Sequence, residues 1–158
     1  MQKTILIIAV VALVGCASTP TFTSDPSDPN NVKIEKAIRS AAGNPTGELT
    51  KADLEKVAKL NLHGNNLTEV PKGLEKLTQL KDLILNHNKL TSVKGLENLT
   101  QLTKLHLHGN NLTDVKGLEN LTQLKLLNLH SNPDITKAQI AELQKALPKC
   151  HIQQNPTK

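Results

Sequence analysis

Aromatic residues are almost missing from this chain of 158 residues, which has no Trp, no Tyr and one Phe, Phe22. Arginine is as scarce: of 19 basic side chains, only Arg39 is not lysine. Bases therefore find no aromatic platforms to stack on and almost no guanidinium forks to read their edges, which argues against a nucleic-acid partner. The formal charge of +5 does not reverse this, because the lysines alternate with carboxylates and form no basic run. Chemistry-bearing signatures are also lacking. There is no Gly-rich phosphate loop and no nucleophile elbow, so an enzyme is not expected. Cysteine occurs twice, as Cys16 and Cys150. The length suits one domain.

Long hydrophobic runs are absent too. The longest, Ile5 to Val14, follows Gln2, Lys3 and Thr4 and is too short for a bilayer, which needs about 20 residues. A charged start and an apolar run of that size make a secretory signal. The run closes in Leu13-Val14-Gly15-Cys16, which resembles the lipobox of bacterial lipoproteins. The resemblance implies a signal peptide over 1–15, cleavage before Cys16 and a covalent lipid on that residue, including an acyl chain on its new amino terminus. One acyl chain holds a protein only marginally at a membrane, whereas two or more anchor it. The alternative is an ordinary signal peptide with an incidental Cys. The expected location is the bacterial cell envelope, and Ala17 after the Cys resembles the signal for the outer membrane where the envelope has two. A lipidated Cys16 leaves Cys150 as the one thiol, without an intramolecular partner; it is expected to be a buried, inert residue of the cap. No cofactor is expected beyond the lipid.

Residues 16–31 follow as lipidated Cys and tether. Three Pro and many small polar residues cannot bury enough surface to fold. Over 32–56 a helical cap is expected. Ile34, Ala37, Ile38 and Ala41 recur at helical spacing, and Gly43 and Pro45 stop the run. Thr50 and Asp53 then have the spacing of a capping box, with Leu49 and Leu54 as its hydrophobic staple. Leu54, Val57 and Ala58 are expected to face inward.

The centre of the chain repeats. Gly-Leu-Glu-Lys/Asn-Leu-Thr-Gln-Leu begins at Gly73, Gly95 and Gly117, 22 residues apart each time. Aligned on it, L-x-x-L-x-L-x-x-N-x-L appears four times, through Leu60-Leu62-Asn65, Leu83-Leu85-Asn88, Leu105-Leu107-Asn110 and Leu127-Leu129-Asn132. This resembles the leucine-rich-repeat family, and the period is similar to that of internalin-type bacterial surface proteins. The resemblance implies an α/β fold: a short solenoid of about four repeats over 57–135, with a parallel concave sheet and helical caps at both ends. The Asn residues are expected to satisfy backbone groups at the bend after each strand. The Asn-Leu-Thr sequons arise from the repeat itself and carry no independent meaning. Thr136 and Gln139 form a second capping box, with Ile135 and Ile140 as staple. A capping helix is expected over 136–152, with Ile140, Leu143 and Leu147 inward and Pro148 ending it; 153–158 is a tail.

Strand side chains alternate, so residues between the core leucines share the open face. They are Lys59, Asn61 and His63; Asp82, Ile84 and Asn86; Lys104, His106 and His108; then Leu126, Asn128 and His130. Family members commonly bind proteins through this face, so a membrane-anchored module recognising a protein or glycan is the first expectation. Hot-spot residues such as Trp, Tyr and Arg are lacking there, which points to modest affinity per site. A domain that is itself monomeric is expected. The alternatives are a structural, self-assembling envelope lipoprotein, or a metal site: His106, His108 and His130 are close enough in the pattern to offer three imidazoles to zinc.

Overall fold

The computed structural model describes residues 29–155. The signal, the lipobox, Cys16 and nearly all of the spacer lie outside them, as do residues 156–158. In chain order come α1 (Pro29–Ala42), α2 (Lys51–Glu55), β1 (Lys59–Asn61), β2 (Asp82–Ile84), β3 (Lys104–His106), β4 (Leu126–Asn128), α3 (Lys137–Ala146) and β5 (His151–Gln153). The strands form one parallel sheet in sequence order. Two short 3-10 turns, Leu74–Lys76 and Leu118–Asn120, lie on the return path.

Helix α1 starts inside the segment expected to be tether. Proline is tolerated in a first helical turn, where its missing N–H has no partner to lose. Ile34, Ile38 and Ala42 are buried, whereas Ala41 is exposed. The apolar stripe therefore continues to Ala42, not to Ala41 as its spacing predicts. The chain's one arginine holds the next turn: Arg39 Nε donates to Glu35 Oε1 at 2.8 Å and its Nη1 to the Gly47 carbonyl at 2.7 Å. The capping box at α2 is complete. The Asp53 amide donates to Thr50 Oγ1 and the Thr50 amide to Asp53 Oδ2, at 3.3 and 3.1 Å. Thr50, Lys56 and Asn44 also bond the Asp53 carboxylate, which holds its pKa well below the usual carboxylate range, the Thr50 hydroxyl contributing most. Leu54 and Val57 are buried, but Ala58 is exposed, because the chain is already turning into β1.

Each of the first four strands sends one leucine inward at its centre and another just after it: Leu60 and Leu62, Leu83 and Leu85, Leu105 and Leu107, Leu127 and Leu129. They meet Leu74, Leu96 and Leu118 from the return path in one continuous core. Burying a leucine fully is worth roughly 1.5–3 kcal/mol relative to leaving it exposed. The Gly-Leu-Glu step has its own logic. Gly73, Gly95 and Gly117 have φ of 93, 100 and 100°, and the glutamate two residues on folds back to accept the glycine amide. The Glu97 pKa is lowered by its own backbone amide and then by that contact with Gly95.

The C-terminal segment differs from the expected single helix over 136–152. The capping box of Thr136 and Gln139 forms, and Ile135, Ile140, Leu143 and Leu147 are buried. The helix ends at Ala146, before Pro148, and the chain returns as β5. Gln144 Nε2 donates to the carbonyls of Leu147 and Cys150, both at 3.0 Å, and so holds that turn. Residue 153, expected to begin the tail, belongs to the fifth strand. Cys150 is buried, and burial pushes its thiol pKa up.

Candidate functional site

The strand register places the expected face residues in columns. Lys59 pairs with Asp82, Asp82 with Lys104, and Lys104 with Leu126. Beside them Asn61, Ile84, His106 and Asn128 are register partners in turn. Alternation sets His63, Asn86, His108 and His130 in the third column. Strand β5 extends all three: His151 pairs with Leu126 and Gln153 with Asn128, while Asn155 Oδ1 lies 2.6 Å from His130 Nδ1. His151, Gln153 and Asn155 were not legible as face residues in the sequence, because the step from β4 to β5 spans 25 residues, not 22.

Behind this face runs an asparagine ladder. Asn88, Asn110 and Asn132 are buried. Asn110 Oδ1 accepts the Leu90 amide, and its Nδ2 donates to the carbonyls of Leu107 in its own coil and Leu85 in the preceding one, at 2.9 and 3.0 Å. Asn132 repeats this pattern with Leu112, Leu129 and Leu107. Asn88 accepts the amides of Asn65 and Leu67. Asn65, in the first coil, is only half-buried and donates to the nearby His63 carbonyl. The ladder fixes where each strand bends, and so fixes the height of the face.

Not every polar side chain on the face is available to a ligand. Asn61 Oδ1 accepts the His63 amide, Asn86 Oδ1 the His108 amide on the next strand, and Asn128 Oδ1 the His130 amide, at 3.0, 2.9 and 3.1 Å. These oxygens hold the end of the sheet. Ile84 and Leu126 are the apolar side chains of the face, both half-buried, with Lys104 exposed between their strands. Asp82 lies between Lys59 and His106: its Oδ2 is 3.3 Å from Lys59 Nζ and its Oδ1 is 3.8 Å from His106 Nε2. That Oδ1 is buried and has no hydrogen-bond partner among the described residues.

Among the described residues, no three His, Cys, Asp or Glu side chains converge as a metal site would require. The expected trio of His106, His108 and His130 is not brought together. His108 Nδ1 faces the His130 carbonyl at 3.2 Å, His130 Nδ1 faces Asn155, and His106 turns toward Asp82. The Nδ1 atoms of His108 and His130 are thus each set against a local oxygen and do not turn toward a common point. The rings make a different group instead. His87 packs edge-to-face between His63 and His108, with ring centroids 5.2 and 4.7 Å away. His87 escapes strand alternation because it lies at the bend, with φ of 54°.

The chain matches the family Leucine rich repeat over residues 55–112 and Leucine Rich repeats (2 copies) over residues 100–145. Among solved structures it is similar to internalin C2 of Listeria monocytogenes, with 30% identity and a TM-score of 0.66 over 80% of this chain and 54% of that one. Internalin F of the same organism gives 29% identity and a TM-score of 0.66, covering 80% of this chain and 36% of that one. A leucine-rich-repeat protein of Leptospira interrogans gives 34% identity and a TM-score of 0.57, over 66% of this chain and 28% of that one. The chain thus spans about half the length of internalin C2 and about a third of internalin F. No curated protein is a match in sequence.

Proposed function

We propose, from the premise that this chain carries a leucine-rich-repeat domain, that it is a protein-binding module and not an enzyme, held at a bacterial envelope by a lipid on Cys16. Leucine-rich-repeat domains typically mediate protein–protein interaction, and solenoids present extended surfaces suited to it. The observation that carries the reading is the open face of the sheet: five strands in register display three columns of side chains with Ile84 and Leu126 among polar neighbours. The lipid rests on Leu13-Val14-Gly15-Cys16 alone. No helix among the described residues is long and apolar enough to cross a membrane.

Two experiments test the two halves. Ile84→Asp and Leu126→Asp should abolish capture of the partner from the envelope of the cells that make the protein, with the melting temperature changed by only a few degrees. Capture that survives both would remove the face from consideration. Cys16→Ser should release the protein from the membrane fraction and eliminate the mass of a diacylglyceryl group. A wild-type chain with an unmodified amino end would overturn the anchor.

One observation favours a second reading, a self-assembling envelope protein. Among the described residues strand β5 pairs only with β4, so its outer edge stands at the end of the sheet. Sedimentation of the protein in detergent separates the readings: a monomer over the micromolar range supports the binding module, and concentration-dependent growth supports assembly.

A further inference from the structure

We infer that the open face takes an acidic protein segment and holds it more tightly as the pH falls through the histidine range. This rests on the binding reading above and names the partner's chemistry. All six histidines of the chain are on this face or its rim. His63, His108 and His130 share a column, His106 occupies the middle one, His151 faces Leu126, and the His87 ring fills the gap between His63 and His108. Of the 14 acidic residues in the chain, the three columns contain only Asp82. Its charge is already engaged by Lys59, with the His106 ring on its other side.

Charge then sets the partner. With neutral imidazoles, Lys59 and Lys104 against Asp82 leave one net positive charge on the face, and each protonated ring adds another. Histidine is the side chain that ordinarily changes charge between pH 5 and 8. The groups facing each ring matter for the sign. His106 faces the Asp82 carboxylate, across from Lys104. The His87 ring faces those of His63 and His108, with the Asn61 and Asn86 amides beside them. His130 faces Asn155. Protons added to the His63–His87–His108 group repel one another unless an anion arrives from outside, so a bound carboxylate and a bound proton favour each other. By linkage, affinity rises as protons are taken up. A partner's carboxylates stay ionised to about pH 4.5, so attraction grows as the rings take up protons above that pH. The lack of aromatic rings on the face favours a peptide over a sugar, which would use such rings to stack.

The test is calorimetry of the full chain with poly-L-aspartate of about 20 residues, at pH 7.5 and 5.5, in two buffers of different ionisation enthalpy, with a heparin oligosaccharide for comparison. The expected result is binding at least tenfold tighter at pH 5.5, with net proton uptake. The triple variant His63→Gln, His87→Gln, His108→Gln should lose most of the ratio between the affinities at pH 5.5 and 7.5, whatever its affinity at pH 7.5; if it does not fold, as judged by its melt, the single variant His108→Gln is used and should lose part of that ratio. Equal affinity at both pH values would overturn the inference, as would a gain that survives the variants or one shown by heparin and not by poly-L-aspartate. Such a failure would leave the binding reading standing, since that depends on where the partner docks and not on its charge.

Discussion

The imidazole of His87 occupies the space that a side chain on Gly109 would need: a β-carbon there would stand 2.9 Å from His87 Nδ1. The two residues hold the same place in successive coils. Gly64, His87, Gly109 and Ser131 all have left-handed backbone just before the ladder asparagine, with φ of 66, 54, 68 and 55°. A ring in one coil is accommodated by a missing side chain in the next. Gly109→Ala should therefore destabilise twice over, by roughly 1–2 kcal/mol for left-handed backbone and by a further amount for the collision. In a His87→Gly background the collision disappears. Urea unfolding of the four proteins of the cycle should give a coupling of about 0.5–1.5 kcal/mol, and additive effects would contradict the contact.

The asparagine ladder predicts a position-dependent cost for one and the same substitution. Asn110→Ala removes the acceptor of the buried Leu90 amide and a donor to two carbonyls, so it should cost about 2–3 kcal/mol. Asn65→Ala, at the half-buried first rung, should cost under about 1 kcal/mol. Denaturant midpoints compare the two directly.

Acid should weaken the N-terminal cap before the repeats. Asp53 has a depressed pKa in the folded chain, so its contribution is fully present above the ordinary carboxylate range and is lost as the pH falls toward the folded value. The melting temperature should decline below about pH 4. Asp53→Asn should lower it at neutral pH and flatten that acid limb, as read by circular dichroism.

Burial also predicts the behaviour of the one cysteine among the described residues. Cys150 is 5% exposed and its thiol pKa is raised. It should resist a maleimide reagent for hours at pH 7.5 and react within minutes in denaturant. Fast labelling of the native protein would show that α3 and β5 open readily.

Most of the fold was legible because its period is written in leucine. The step of 22 residues at Gly73, Gly95 and Gly117 carried the strands, their register and the three columns of the face. What was illegible departs from that period for physical reasons. Strand β5 carries Ile152 opposite Leu127 and then Gln154 where a leucine would follow, so no apolar pair announces it. His87 is brought to the face by a left-handed bend, not by strand alternation. The return of Glu75, Glu97 and Glu119 onto glycine amides explains why the repeat keeps Gly-Leu-Glu, a contact between neighbours that spacing alone does not reveal. The imidazole trio failed as a metal site because each ring is turned by a local partner.

The measurement that bears most directly on function is photo-crosslinking in the cells that make the protein, with a photoreactive side chain at Ile84 on the open face or at exposed Lys72 on the return path. A binding face predicts a discrete protein adduct from Ile84 and none from Lys72. The absence of an adduct at Ile84, with or without one at Lys72, would contradict it.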